Sequence, residues 1–140
     1  MPEIRWLRIS YWVGAIADLI VGVLMFFPEI GRAAYGDSDF EPTADYRYAM
    51  RFGASLMLGW TVLLLWADRK PLARRGVLPI TVFVIAGLAS AGAYAVSAGL
   101  ISLSNMIPSW GFQALLTALF LYSYFRSGRA APPSSPAAVQ

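Results

Sequence analysis

The hydrophobic positions of this chain fall in long unbroken runs, without the apolar–polar alternation of a half-buried strand. Four such runs follow one another, at roughly 5–27, 44–66, 76–98 and 103–125. Each reaches the ~20 residues that let an α-helix cross a ~30 Å hydrocarbon core. Backbone in lipid must satisfy its own N–H and C=O groups, so all four are predicted to be helices. Pro79 and Pro108 fall near the starts of the third and fourth runs, where a missing N–H costs least, and Pro28 closes the first. The expected fold is all-α: a polytopic membrane protein with four transmembrane helices in an up-down-up-down bundle over residues 1–126. The remainder, 127–140, is Pro/Ser/Ala-rich without apolar periodicity and is expected to be a disordered tail.

Two further segments qualify this outline. The first run is longer than a signal-peptide apolar region and contains Asp18, so it is expected to be a retained helix. The segment 28–43 is long for a helical hairpin. A short interfacial helix through Ile30, Ala33 and Ala34 is expected there, with Asp37, Ser38 and Asp39 forming a turn.

Composition agrees with the pattern. Of the 140 residues, 58% are hydrophobic and 14% charged, and mean hydropathy is +0.57. Soluble domains run at about 45–50% apolar and about 25% charged. There is no Cys and no His. Disulfides, thiolate nucleophiles, Cys/His metal sites, His-ligated haem and imidazole acid–base chemistry are therefore all excluded.

The formal net charge is +3, and its placement says more than its size. Arg5 and Arg8 precede the first run. Arg69, Lys70, Arg74 and Arg75 join the second to the third, and Arg126 and Arg129 follow the fourth. The opposite side holds mostly acids: Glu29, Asp37, Asp39, Glu41 and Asp45. The positive-inside rule then puts both termini in the cytoplasm of a bacterial cell, with the protein multi-pass in its cytoplasmic (inner) membrane. Trp6, Trp12, Trp66, Trp110, Tyr46, Tyr48, Tyr122 and Tyr124 lie near run ends, as an aromatic belt requires. The basic residues are thus accounted for by lipid contact, and no nucleic-acid partner is expected.

Ionisable residues inside a span are costly and mark candidate sites. Asp18 is mid-run, nine residues before Phe27 and so ~13.5 Å deep; Arg51 is seven residues past Ala44, or ~10.5 Å deep. Counted this way the two lie at similar depth and are expected to pair. Gly14, Asp18 and Gly22 recur every four residues, as do Arg51, Ser55 and Gly59. The small residues at Gly14, Gly22 and Gly59 suit close helix packing. Asn105, Ser109, Gln113 and Thr117 repeat the spacing on the fourth helix, and Ser90 and Tyr94 on the third. The expected ligand-binding set is therefore Asp18, Arg51, Ser55, Ser90, Tyr94, Gln113 and Thr117, lining one polar interior.

No nucleophile elbow, P-loop, dinucleotide fingerprint or metal-ligand carboxylate pair occurs, so no catalytic residue, metal or cofactor is assigned. Asp37, Asp39 and Glu41 read as an acidic turn. The leading functional reading is a non-enzymatic membrane protein. Its polar interior would bind a lipid-like or quinone-like hydrophobic small molecule, a membrane protein partner or a second copy. One alternative is a proton- or cation-coupled small transporter or channel using Asp18. Another is a quinone-linked membrane oxidoreductase subunit, which could only position a diffusible cofactor.

Two resemblances bear on this. The four runs, the stretch RFGASLMLGWTVLLLWADRKPLARR and the Gly/Ala-rich third helix resemble small bacterial four-helix membrane proteins of the DoxX-like kind. That likeness implies a four-helix bundle and an association with quinone-linked oxidation or membrane stress. Locally, YWVGAIADLIVGVLMFF is similar to helix one of small multidrug resistance transporters. By that likeness Asp18 would be the mid-membrane carboxylate, with Tyr11, Gly14 and Gly22 as its neighbours. The chain departs from that family in having Asp for Glu, a longer first loop and Arg51 nearby.

Overall fold

The computed structural model describes residues 2–34, 39 and 41–128. Five helices form, and there is no strand among the described residues: α1 (Pro2–Phe26), α2 (Pro28–Ala34), α3 (Ala44–Asp68), α4 (Val77–Ser97) and α5 (Leu103–Gly128). α1 from Ile4, α3 and α4 are long and apolar enough to cross a membrane. The chain therefore has the make-up of a helical membrane protein. Most of the expected tail and most of the acidic turn lie outside the described residues. Ser127 and Gly128 still belong to α5.

Local sequence explains the boundaries. Pro28 has no N–H to continue α1 and suits the first position of a new helix, so the chain breaks at Phe27 and α2 begins. Thr43 caps α3, its Oγ1 accepting from the Tyr46 N–H at 3.3 Å, and Asp45 sits in the first turn at the positive end of the helix dipole. α4 stops at Gly99, whose φ of +71° lets the Leu100 and Gly99 amides turn back onto the carbonyls of Ala95 and Val96.

α1 is the central helix. It packs along α3 on one side and α5 on the other, and α4 leans on α5. The buried positions of α3 are Ala54, Met57, Thr61, Leu64 and Ala67, a three-and-four spacing that makes one stripe toward α1. Two glycines of α1 allow the backbones to close. A Cβ on Gly14 would come within 2.9 Å of Phe120 and 3.0 Å of Leu64, and one on Gly22 within 3.1 Å of Leu58. Leu7, Tyr11, Ala15, Leu64, Leu78 and Phe120 form the centre of the core. The outside is equally apolar: Phe83 is 79% exposed and Leu115 is 71% exposed. Such side chains are expected where the surrounding solvent is lipid.

Candidate intramembrane site

Helix register decides which polar groups meet. Gly14 packs on Leu64, Gly22 on Leu58, and Gly53 on Met25. α1 and α3 thus run antiparallel in a fixed register that places Asp18 level with Trp60 and Thr61. The same register puts Arg51 level with Phe27, beyond the end of α1. The two charges are about ten residues apart along the helix axis, or ~15 Å at 1.5 Å per residue. The expected Asp18–Arg51 pair is not formed. Counting depth from the shared loop assumes that both helices end together, whereas α3 starts well past the point where α1 stops.

Arg51 is exposed at this α2 end. Its electrostatic neighbour is Glu29, which forms an ion pair with Arg47. The Glu29 carboxyl is held below the usual carboxylate range. Its own backbone N–H is the largest cause, with the Arg47 hydrogen bond and the charges of Arg47 and Arg51 adding to it.

Asp18 stands on the inner stripe of α1 between Gly14 and Gly22. On α5, Ser10 against Ser123 and Gly14 against Phe120 set a second antiparallel register, which brings Asp18 level with Leu115 and Leu116. Its Oδ2 is shut off from solvent and has no hydrogen-bond partner. A buried polar atom left in that condition costs about 1–3 kcal/mol.

The other expected stripes do not converge on it. Ser55 donates to the Arg51 carbonyl at 3.0 Å and Ser90 to the Ala86 carbonyl at 2.9 Å, each back onto its own helix at an exposed position. Tyr94 is 70% exposed, and a Cβ on Gly59 would meet nothing within 4 Å. The α3 stripe that faces α1 is the apolar one through Met57 and Leu64, displaced around the helix from Arg51, Ser55 and Gly59.

Gln113 does point inward. Its Oε1 is buried and has no hydrogen-bond partner. With Thr117 it lines a groove of about 590 Å³ between α4 and α5, whose walls are otherwise mainly apolar and include Val82, Ile85, Ala89 and Trp110. α4 and α5 also meet next to this groove, where Met106 and Trp110 close over Gly92. Among the described residues no cluster of acids could hold a metal ion. The chemistry on offer is hydrogen bonding in an apolar slot, with a lone carboxyl on the neighbouring helix.

A second polar cluster, at the end carrying the N-terminus, escaped sequence reasoning. Asp68 accepts from Arg8 Nε at 3.1 Å, from Arg8 Nη2 at 3.4 Å and from Trp12 Nε1 at 3.2 Å. Beside it the buried Tyr11 hydroxyl donates to the Arg74 carbonyl at 3.1 Å and approaches that of Pro71 at 3.4 Å. Arg74 bonds the Trp66 carbonyl and lies 3.3 Å from the centre of the Trp66 ring. Deeper in, Ser10 donates to Ser123 at 2.8 Å, and Ser123 to the Trp6 carbonyl at 3.3 Å. Asp68 sits in the run ADRK next to two cations, which made it look like part of a basic loop. Only the antiparallel α1–α3 register brings the end of α3 back beside Arg8, and no local sequence signal announces it.

The chain matches no protein-family model, no curated protein and no solved structure. The functional reading therefore rests on the geometry alone.

Proposed function

We propose that this protein is a non-enzymatic integral membrane protein that binds a lipid-soluble small molecule in the α4–α5 groove. The observation that carries this reading is Gln113, which lines an otherwise largely apolar slot and whose Oε1 is buried beneath its surface without a hydrogen-bond partner. A turn of the Gln113 amide toward the groove would let a ligand hydroxyl or N–H satisfy that oxygen, and the apolar walls would take the ligand's body. The class that fits is a lipid-like or quinol-like molecule with at least one donor.

In this proposal α5 is the fourth span of an up-down-up-down bundle, with both termini in the cytoplasm of a bacterial inner membrane. Support comes from the pairing of α5 with α1 at Ser123 and Phe120 and with α4 at Met106 and Trp110, which spreads its contacts over most of its length. A cysteine placed at Glu41 should react with an impermeant thiol reagent in intact cells, and one at Ala73 should not. The opposite labelling would reverse the orientation.

Native mass spectrometry of protein purified in mild detergent tests the binding reading. Wild type should retain an organic-extractable molecule that Gln113→Leu loses and Ser90→Ala keeps. Equal retention by wild type and Gln113→Leu would sink the proposal.

A second reading is favoured by one observation, the unpartnered Asp18 Oδ2. With Arg51 far away, no cation among the described residues competes at Asp18, so a proton- or cation-coupled transporter keeps its key requirement. Proteoliposome flux that depends on a pH gradient and vanishes in Asp18→Asn would establish it. Flux unchanged by that substitution would dismiss it.

A further inference from the structure

The outward side of α1 carries a shallow, open groove of about 580 Å³ between the side chains of Ile4, Arg5, Arg8, Ile9 and Trp12, all on this one helix. Two cations and an indole line its polar end. The Arg8 guanidinium and the Trp12 indole are both held by Asp68, at 3.1 and 3.2 Å. This fixes their directions while leaving the Arg8 side chain 59% exposed. Arg5 is exposed and makes no hydrogen bond or ion pair among the described residues. Of the other cations at this end, Arg74 is engaged with Trp66, Arg75 lies over Tyr124 and Arg126 bonds Tyr122, while Arg69 and Lys70 stand exposed on the segment after α3, outside the groove. Counting Arg5, Arg8 and Asp68, the groove carries one net positive charge.

Beyond the cations the same face continues through Ile16 and Ile20, which are 51% and 54% exposed. From Ile9 to Ile20 is eleven residues, or ~16 Å of helix, about half the thickness of a ~30 Å hydrocarbon core. A single cationic niche at one end of a leaflet-deep apolar track has the shape and charge of a diacyl lipid with an anionic head.

We infer that this groove is a specific site for one anionic phospholipid, with the phosphodiester on Arg5 and Arg8 and an acyl chain along Ile9, Ile16 and Ile20. The Trp12 indole, anchored to Asp68, marks the level of the ester linkages, where interfacial tryptophans sit. The inference rests on α1 crossing a membrane, and is independent of what fills the α4–α5 groove.

The test uses the full chain, delipidated in detergent and titrated with phosphatidylglycerol or phosphatidylcholine of matched acyl chains, read by native mass spectrometry. One equivalent of phosphatidylglycerol should bind about fivefold more tightly than phosphatidylcholine, the factor expected from one cation beside an anionic headgroup. Arg5→Gln should erase that preference, whereas Arg69→Gln, a basic residue outside the groove, should leave it intact. Equal binding of the two lipids, or equal loss in Arg5→Gln and Arg69→Gln, would overturn the assignment. So would displacement of the lipid by millimolar inorganic phosphate, which would make the site a phosphate site without a lipid track. A dimer that Arg5→Gln dissociates would instead make a second copy the occupant, and would overturn it too.

Discussion

The α1–α3 seam and the α4–α5 seam are built from similar residues but packed in different ways. Along α1 and α3, small residues sit where the partner helix places its large ones: Gly14 takes Leu64, Gly22 takes Leu58 and Gly53 takes Met25. The end of the seam is tied by Asp68 to Arg8 and Trp12. α4 has as many small residues, but Gly87 meets nothing within 4 Å and only Gly92 is covered by its neighbour. Next to that contact the helices flank a groove lined by Gln113, whose Oε1 is buried without a partner. Small residues by themselves do not close two helices. A large partner at the same level does.

The largest expected effect comes from filling the closed seam. Gly14→Leu should lower stability by about 3 kcal/mol, because its side chain must displace both Phe120 and Leu64. Gly59→Leu, at a mid-helix position facing open space, should not destabilise and should gain up to about 1 kcal/mol from helix propensity. Thermal unfolding in one detergent reads both, and equal losses would erase the distinction between packed and open glycines.

Next in size is the tie at the end of the seam. Asp68→Ala removes the acceptor shared by Arg8 and Trp12 and should cost about 1–2 kcal/mol, with the Arg8 share reduced by its exposure. A change below 0.3 kcal/mol (about the scatter of additive, non-interacting sites) would mean that the tie is ornamental. Smaller again is Ser10→Ala, which removes the buried bond to Ser123. Bonds of this kind between membrane helices average about 0.6 kcal/mol, so the melting temperature should fall only slightly.

The smallest expected effect is an absence of coupling. Asp18→Asn and Arg51→Gln should add to within about 0.5 kcal/mol, since groups this far apart without shared partners act independently. A double mutant that recovers more than 1 kcal/mol relative to the sum (well above the ~0.5 kcal/mol limit of independence) would show that the two charges meet and that the register is wrong.

The apolar runs made the helices legible, because length and continuity are local properties. The short α2 was legible for the same reason, from Pro28 and the small apolar group that follows it. Register was not. It depends on how far α3 rises past Phe27, and nothing in the sequence of 28–43 states that distance. The error carried Arg51 from the helix end to mid-membrane and created a pair with Asp18. The spacing of Ser55 and Ser90 was read correctly as a helical repeat, but periodicity identifies a face without saying which way it points. Both hydroxyls are satisfied by their own backbone and need no interior. Gln113 was recognisable as a polar residue in a span, and the open groove beside it was not, because a groove is a property of two helices.

The central position of α1 has a consequence for how the chain is assembled. The bond from Ser10 to Ser123 joins residues 113 positions apart, the first long helix to the last. At synthesis rates of about 5–20 residues per second, α1 emerges roughly 6 to 20 s before the surface that covers that flank. α3 arrives earlier and can seal the side bearing Gly22, but Ser10, Gly14 and Asp18 stay uncovered on the α5 side until α5 emerges. The helix that organises the finished bundle is thus the one that spends longest incomplete, and a ribosome stalled before Phe120 would leave its inner face open to the bilayer.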